Sequence, residues 1–143
     1  MIRGLKVTPL SIIQTEGGDV MHAIKKSDAG FNGFGEAYFS NIKYNAVKAW
    51  KRHQSMTLNL VVPVGVIKFV IFDDRDNDQI KLQEFIVSAD NYCRITIPPM
   101  VWFGFQGLSE DGAILLNVAN IEHDPDEVDR KPTKQINYNW SSN

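Results

Sequence analysis

From Glu36 onward, apolar and polar positions succeed one another in short runs with a period near two, and the spacing of an amphipathic helix is nearly absent. The pattern predicts strands over residues 36–42, 46–54, 56–62 and 66–72, then 84–87, 93–97, 101–108 and 114–119. Within 93–97, Cys93, Ile95 and Ile97 alternate with Arg94 and Thr96, as in a strand buried on one face. The 66–72 run is apolar on both faces apart from Lys68, which suits a central strand covered on both sides. Pro63, Val64 and Gly65 predict a hairpin joining 56–62 to 66–72. Turn signals at Glu16-Gly17-Gly18-Asp19 and across Ala29 to Gly35 leave residues 1–35 as an irregular arm with strands. One helical signal stands out: Asp124 as a cap, Pro125 in the first position and Glu127 at capping-box spacing, enough for a short turn.

Many short strands punctuated by glycine and proline predict an all-β sandwich or barrel with very little helix. The chain reads as one domain of 143 residues, with the arm at 1–35, the barrel at 36–120 and a C-terminal turn and tail at 121–143. The polar tail after Lys131 is expected to wrap over the surface or a neighbouring subunit.

Composition narrows the function classes. Hydrophobic residues make up 43% of the chain and charged residues 22%, which is globular rather than disordered. Fifteen basic and seventeen acidic side chains leave a net charge of −2, so no global field draws in nucleic acid or an anionic membrane. No signal-peptide pattern or membrane-length apolar run occurs, and a cytoplasmic location is the expectation. A single cysteine, Cys93, makes no internal disulfide and reads as a small core residue. The three histidines, His22, His53 and His123, leave a small stock for acid-base or metal chemistry.

Three stretches carry a resemblance: Gly35-Glu36-Ala37-Tyr38-Phe39-Ser40, Val47-Lys48-Ala49-Trp50-Lys51-Arg52-His53 and Met56-Thr57-Leu58-Asn59-Leu60. It continues through Phe72-Asp73-Asp74-Arg75, Ile97-Pro98-Pro99-Met100-Val101-Trp102-Phe103-Gly104-Phe105 and Asp124-Pro125-Asp126-Glu127 with Arg130. In that order these stretches resemble a short-chain branch of the dTDP-4-dehydrorhamnose 3,5-epimerase family within the cupins. The resemblance implies a double-stranded β-helix, or jelly-roll barrel, usually a homodimer. It implies an isomerase acting, without metal or cofactor, on a nucleotide-linked 4-keto-6-deoxy sugar in surface-polysaccharide or deoxysugar biosynthesis. In the family a histidine paired with an aspartate removes a proton beside the ketone, and a tyrosine returns one on the opposite face. Carried over by position, the histidine falls on Lys51, its aspartate partner on Asn139 and a second histidine on Phe103. The tyrosine falls near Asn120-Ile121-Glu122, where none exists, and an early arginine falls on Gly17. Lys48 keeps the charge of a substrate-contacting residue.

The residues themselves leave several roles open. Strict alternation puts Val47, Ala49, Lys51 and His53 on one face of their strand and Lys48, Trp50 and Arg52 on the other. Lys51 is a candidate base if burial or nearby cations lower its pKa; otherwise it binds a phosphate or faces water. His53 is a candidate base or proton shuttle, or a hydrogen-bonded barrel residue. Lys48 and Arg52 are candidates for a diphosphate. Trp102 and Phe103 pack the core or stack a sugar or base. Asn117 interrupts an apolar run and hydrogen-bonds a ligand or backbone, while Tyr38 lines the pocket. Arg75 is expected to hold its turn through the neighbouring aspartates. A metal is not expected: Lys51-Arg52-His53 and Phe103 together supply at most one ligand. The acidic loop from Asp74 has Gln79 and Phe85 where a calcium loop needs glycine and glutamate. The alternative function is a non-catalytic cupin that binds a sugar or nucleotide.

Overall fold

The computed structural model describes residues 1–141. Twelve strands run in chain order. The first six are β1 Lys6–Pro9, β2 Ile12–Ile13, β3 Val20–Met21, β4 Glu36–Ile42, β5 Val47–His53 and β6 Leu58–Val64. They are followed by β7 Ile67–Asp73, β8 Lys81–Val87, β9 Cys93–Ile97, β10 Trp102–Gly107, β11 Ala113–Ala119 and β12 Val128–Arg130. Ten of them form two five-stranded sheets, ordered β1-β9-β6-β11-β4 and β12-β5-β10-β7-β8, in which neighbours are antiparallel. The remaining two, β2 and β3, make a small hairpin around the predicted Gly17-Gly18 turn. The architecture is the cupin jelly roll, with helix among the described residues confined to two 3-10 turns at Pro125–Glu127 and Thr133–Gln135. As the sequence predicts, Asp124 caps the first turn, its carboxylate accepting from the Asp126 amide at 3.0 Å.

Apolar side chains from the facing sides of the two sheets fill the space between them. Leu58, Leu60 and Val62 of β6 and Ile95 and Ile97 of β9 meet Ile67, Phe69 and Ile71 of β7 and Phe103 of β10. Cys93 lies in this core, where burial pushes its thiol pKa up. The predicted hairpin between the third and fourth barrel strands does not form. β6 lies between β9 and β11, and β7 between β10 and β8, so the chain crosses from one sheet to the other at this turn. Pro63 and Val64 finish β6, and Gly65 turns at φ +82°, where an added Cβ would sit 2.5 Å from the Gly112 carbonyl oxygen. The close approach of the Ser109–Gly112 turn therefore requires a glycine there.

The two chain ends are more ordered than the sequence patterning predicts. β1 adds an edge to the first sheet beside β9, and β12 adds one to the second beside β5. The tail beyond β12 covers the outer face of the second sheet and buries Ile136 and Trp140 against Trp50, Val70 and Trp102. β7 is thus covered on both sides, with Phe69 facing the inner core and Val70 the outer one. Arg75 holds its turn through Asp73, at 2.8 Å from Nε to Oδ1 and 2.8 Å from Nη2 to Oδ2, and donates a further bond to the Arg3 carbonyl oxygen at 2.6 Å.

Candidate active site

A cavity of about 420 Å³ opens between the two sheets, walled by β4 and β11 on one side and by β5, β10 and β12 on the other. Its lining brings together Tyr38, Lys48, Lys51, His53, Phe103 and Asn117, six of the eight site residues expected from the sequence. How Lys48 arrives there is a departure from simple alternation. In the β5–β10 pairing Phe103 lies opposite Lys51 and Gly104 opposite Ala49, so Trp50 is an extra residue, a β-bulge. Ala49 and Trp50 both pack into the outer aromatic cluster, and the alternation resumes in opposite phase. Lys48, opposite Phe105, therefore shares the inner face with Lys51 and His53, while Val47 and Ala49 turn outward.

His53 is buried, and its ring stacks on Phe103 with centroids 6.1 Å apart. Its Nδ1 makes a short hydrogen bond with Oε1 of Glu127, which the capped turn and β12 carry alongside β5. Glu127 is itself buried, and its Oε2 accepts from the amides of Ser55 at 3.1 Å and Met56 at 3.2 Å. Burial alone would raise the Glu127 pKa, but the bonds from His53 and the two amides outweigh it and hold the pKa low. The group is therefore a carboxylate, which only accepts, so Nδ1 of His53 is the donor in their bond and Glu127 fixes the orientation of the ring. Beside it, the Lys51 pKa is lowered, first by burial and then by the charges of Arg130 and Lys48. Arg130 pairs with Lys51 across β12–β5, so four cationic residues, Lys48, Lys51, Arg130 and Lys131, line the cavity, and among the described residues no carboxylate does.

The facing wall is polar but uncharged. Tyr38 of β4 accepts a hydrogen bond from Asn117 Nδ2 at 3.0 Å, while the buried Oδ1 of Asn117 has no protein partner. Burial, with Glu36 adding to it, raises the Tyr38 pKa and keeps the phenol protonated.

Two expected site residues lie elsewhere. Arg52 points to the outer face, where Nε and Nη2 bind Asp129 at 2.9 and 2.7 Å and the guanidinium lies 4.7 Å from the Trp102 ring centroid. Trp102 is buried in the outer cluster, between Arg52 and Lys131, and lines no part of the cavity. Asn139, aligned with the family's aspartate, also lies away from the cavity lining, and its Oδ1 accepts from the Ser141 amide and hydroxyl. Two groups, one behind the site and one lining it, escaped the sequence reading. Glu127 passed for a helix-capping residue, and Arg130 was matched to the family without a role. Alternation over residues 128–130 could have marked Arg130, opposite in face to Asp129, but no such pattern marks Glu127, which ends the capped turn before it. Among the described residues no group of three or more His, Cys, Asp or Glu side chains is arranged to hold a metal ion.

No protein-family model matches the chain. A dTDP sugar isomerase from Desulfovibrio desulfuricans G20, known from its crystal structure, is 36% identical and superposes with a TM-score of 0.93, covering 99% of this chain and 93% of its own. The chain belongs to the dTDP-4-dehydrorhamnose 3,5-epimerase-like cupins. Two relatives of this epimerase-like cupin come from glycan assembly. A probable low-salt glycan biosynthesis epimerase of Haloferax volcanii is 32% identical over 98 residues, which span 66% of this chain and only 63% of that protein. The spore coat polysaccharide biosynthesis protein SpsL of Bacillus subtilis is 24% identical over 99% of this chain and 98% of its own. No helix among the described residues of the epimerase-like cupin is long and apolar enough to cross a membrane.

Proposed function

We propose that this epimerase-like cupin acts on a nucleotide-linked 4-keto-6-deoxy sugar, as an epimerase or isomerase of surface-polysaccharide or deoxysugar biosynthesis. One observation carries the reading: a histidine oriented by a buried carboxylate opens on a cavity lined by four cationic residues and, among the described residues, by no carboxylate. Lys48 and Arg130 hold the diphosphate, Arg130 taking the place first expected of Arg52. Phe103 and Phe105 provide the apolar floor.

His53 Nε2 removes the proton from a carbon next to the ketone, and Glu127 stabilises the imidazolium that forms. The electron pair moves onto the ketone oxygen, and Lys51 offers its ammonium to that enolate. Its lowered pKa brings the acid closer to neutrality and makes proton exchange with the enolate easier. Asn117 Oδ1, a buried acceptor lacking a partner, takes a hydroxyl of the sugar, and Tyr38 stands protonated on the facing wall as the donor for inversion. Return of the proton from the His53 side instead gives isomerisation or simple exchange. A homodimer belongs to the same reading and is supported by the open edge at β4, where Phe39 is 70% exposed. A cytoplasmic location follows from the substrate class.

The test is to incubate the protein with dTDP-4-keto-6-deoxyglucose in heavy water and follow the sugar by NMR. Deuterium at C3 or C5, or at the carbons of a 3-keto product, supports the proposal. Tight binding of the nucleotide sugar with no exchange would leave a binding protein and refute the catalytic reading.

A further inference from the structure

Besides bonds to Lys68 of β7 and Glu84 of β8, the C-terminal strap grips the second sheet at the β5 bulge. The backbone amide of Trp50 donates to the Lys131 carbonyl oxygen at 3.0 Å, and the Lys131 amide returns a bond to the Trp50 carbonyl oxygen at 3.1 Å. Trp50 Nε1 donates to the Thr133 carbonyl oxygen at 3.1 Å, and Thr133 Oγ1 donates to the Ala49 carbonyl oxygen at 3.2 Å. The Trp140 ring then closes over Trp50 at 5.3 Å between centroids. Gly104 leaves room beneath it: a Cβ there would lie 2.6 Å from Ala49 Cβ and 3.1 Å from Trp140 Cζ2. A bulge frees backbone groups from the ladder, and here the strap supplies the partners for both bulged residues.

The bulge has a consequence inside the cavity. Were Ala49 and Trp50 in regular alternation instead of bulged, Lys48 would turn to the outer face, away from Lys51. We infer that the strap, through Thr133 and Trp140, is a positioning element of the ligand site. By holding Ala49 and Trp50 outward it turns Lys48 inward to the anionic ligand. The inference rests on the proposed diphosphate role of Lys48 and extends it to residues that touch no ligand.

A double-mutant cycle on dTDP affinity, measured by calorimetry, tests it. Lys48→Ala is expected to weaken binding about tenfold, the ordinary worth of a phosphate contact of about 1.4 kcal/mol. Thr133→Val keeps the shape of the side chain and removes only the bond to Ala49. It should weaken dTDP binding about fivefold when Lys48 is present and less than about 1.5-fold in the Lys48→Ala background. Gly104→Ala, which pushes on the bulge from the neighbouring strand, should show the same dependence on Lys48 if the fold is retained. In turnover Thr133→Val and Gly104→Ala should each raise KM and leave kcat within about twofold. Equal losses with and without Lys48 would overturn the inference and leave the diphosphate reading standing. An unchanged affinity in Lys48→Ala would overturn both.

Discussion

The two faces of the second sheet are built from the same strands and meet opposite conditions. Its outer face is closed: Trp50, Trp102, Tyr138 and Trp140 seal it, and the charges there are spent locally, Arg52 on Asp129 and Lys131 over Trp102. At its β12-β5-β10 end the inner face is left open, and His53, Lys51, Lys48 and Arg130 stand around a cavity. On the proposed function, the sheet keeps stability on one face and chemistry on the other. Aromatic burial on one side holds the strands that present partly desolvated cations on the other. A single inserted residue in β5 decides which lysine belongs to which side.

The sharpest way to break this contrast is at Glu127. Glu127→Gln removes the carboxylate that fixes the His53 tautomer, and proton exchange should fall about 100-fold or more. The Glu127 pKa is held low in the fold, so its carboxylate stabilises the protein above the ordinary value of 4.5, and that contribution is lost as the pH falls through the folded value. At neutral pH the variant should lose about 2 kcal/mol of stability, the scale of hydrogen bonds to a charged group, and its acid unfolding should be flatter. Chemical denaturation across pH 3–8 reads both effects.

Lys51→Met separates function from stability. Exchange should drop by about tenfold to 100-fold as the cation facing the enolate is lost. The Tm at pH 7 should rise, because the folded pKa of Lys51 is lowered and its charged form is disfavoured in the fold. That penalty is complete below the folded pKa and fades as the pH rises through it towards the ordinary value of 10.5, so the gain in Tm should shrink with alkaline pH. Arg130→Ala should weaken dTDP binding about tenfold and leave the rate of exchange at saturation within about threefold. On the outer face, Arg52→Ala should change dTDP affinity by less than about twofold and cost less than about 1 kcal/mol, as partly exposed ion pairs do. An effect of Arg52→Ala equal to that of Arg130→Ala would erase the distinction between the faces.

Much of the frame was legible from pattern. Alternation located the strands of both sheets because each buries one face or two, and β4 and β9 span the residues that the pattern marks. The hairpin at Pro63-Val64-Gly65 was misread because local turn chemistry does not reveal that the chain is changing sheets. The site was half legible. Lys51, His53, Phe103, Tyr38 and Asn117 come to the cavity by simple alternation on strands that the pattern located. Lys48 comes by a bulge, which no alternation rule contains, while Arg52 stays on the face opposite Lys51 and His53, as strict alternation has it. Glu127 lies 74 positions from His53, and only the pairing of β12 with β5 unites them. The resemblance pointed to Asn139 for that carboxylate, while the fold provides it from the opposite end of the capped turn.

The central claim is that His53, oriented by Glu127, moves a proton beside a ketone. It is tested most directly by comparing deuterium uptake into dTDP-4-keto-6-deoxyglucose by the wild-type protein and by His53→Gln, at equal occupancy. The account predicts uptake at a carbon next to the ketone by the wild type and a loss of about 1,000-fold in the variant. Equal uptake by both proteins, or none by the saturated wild type, would contradict it.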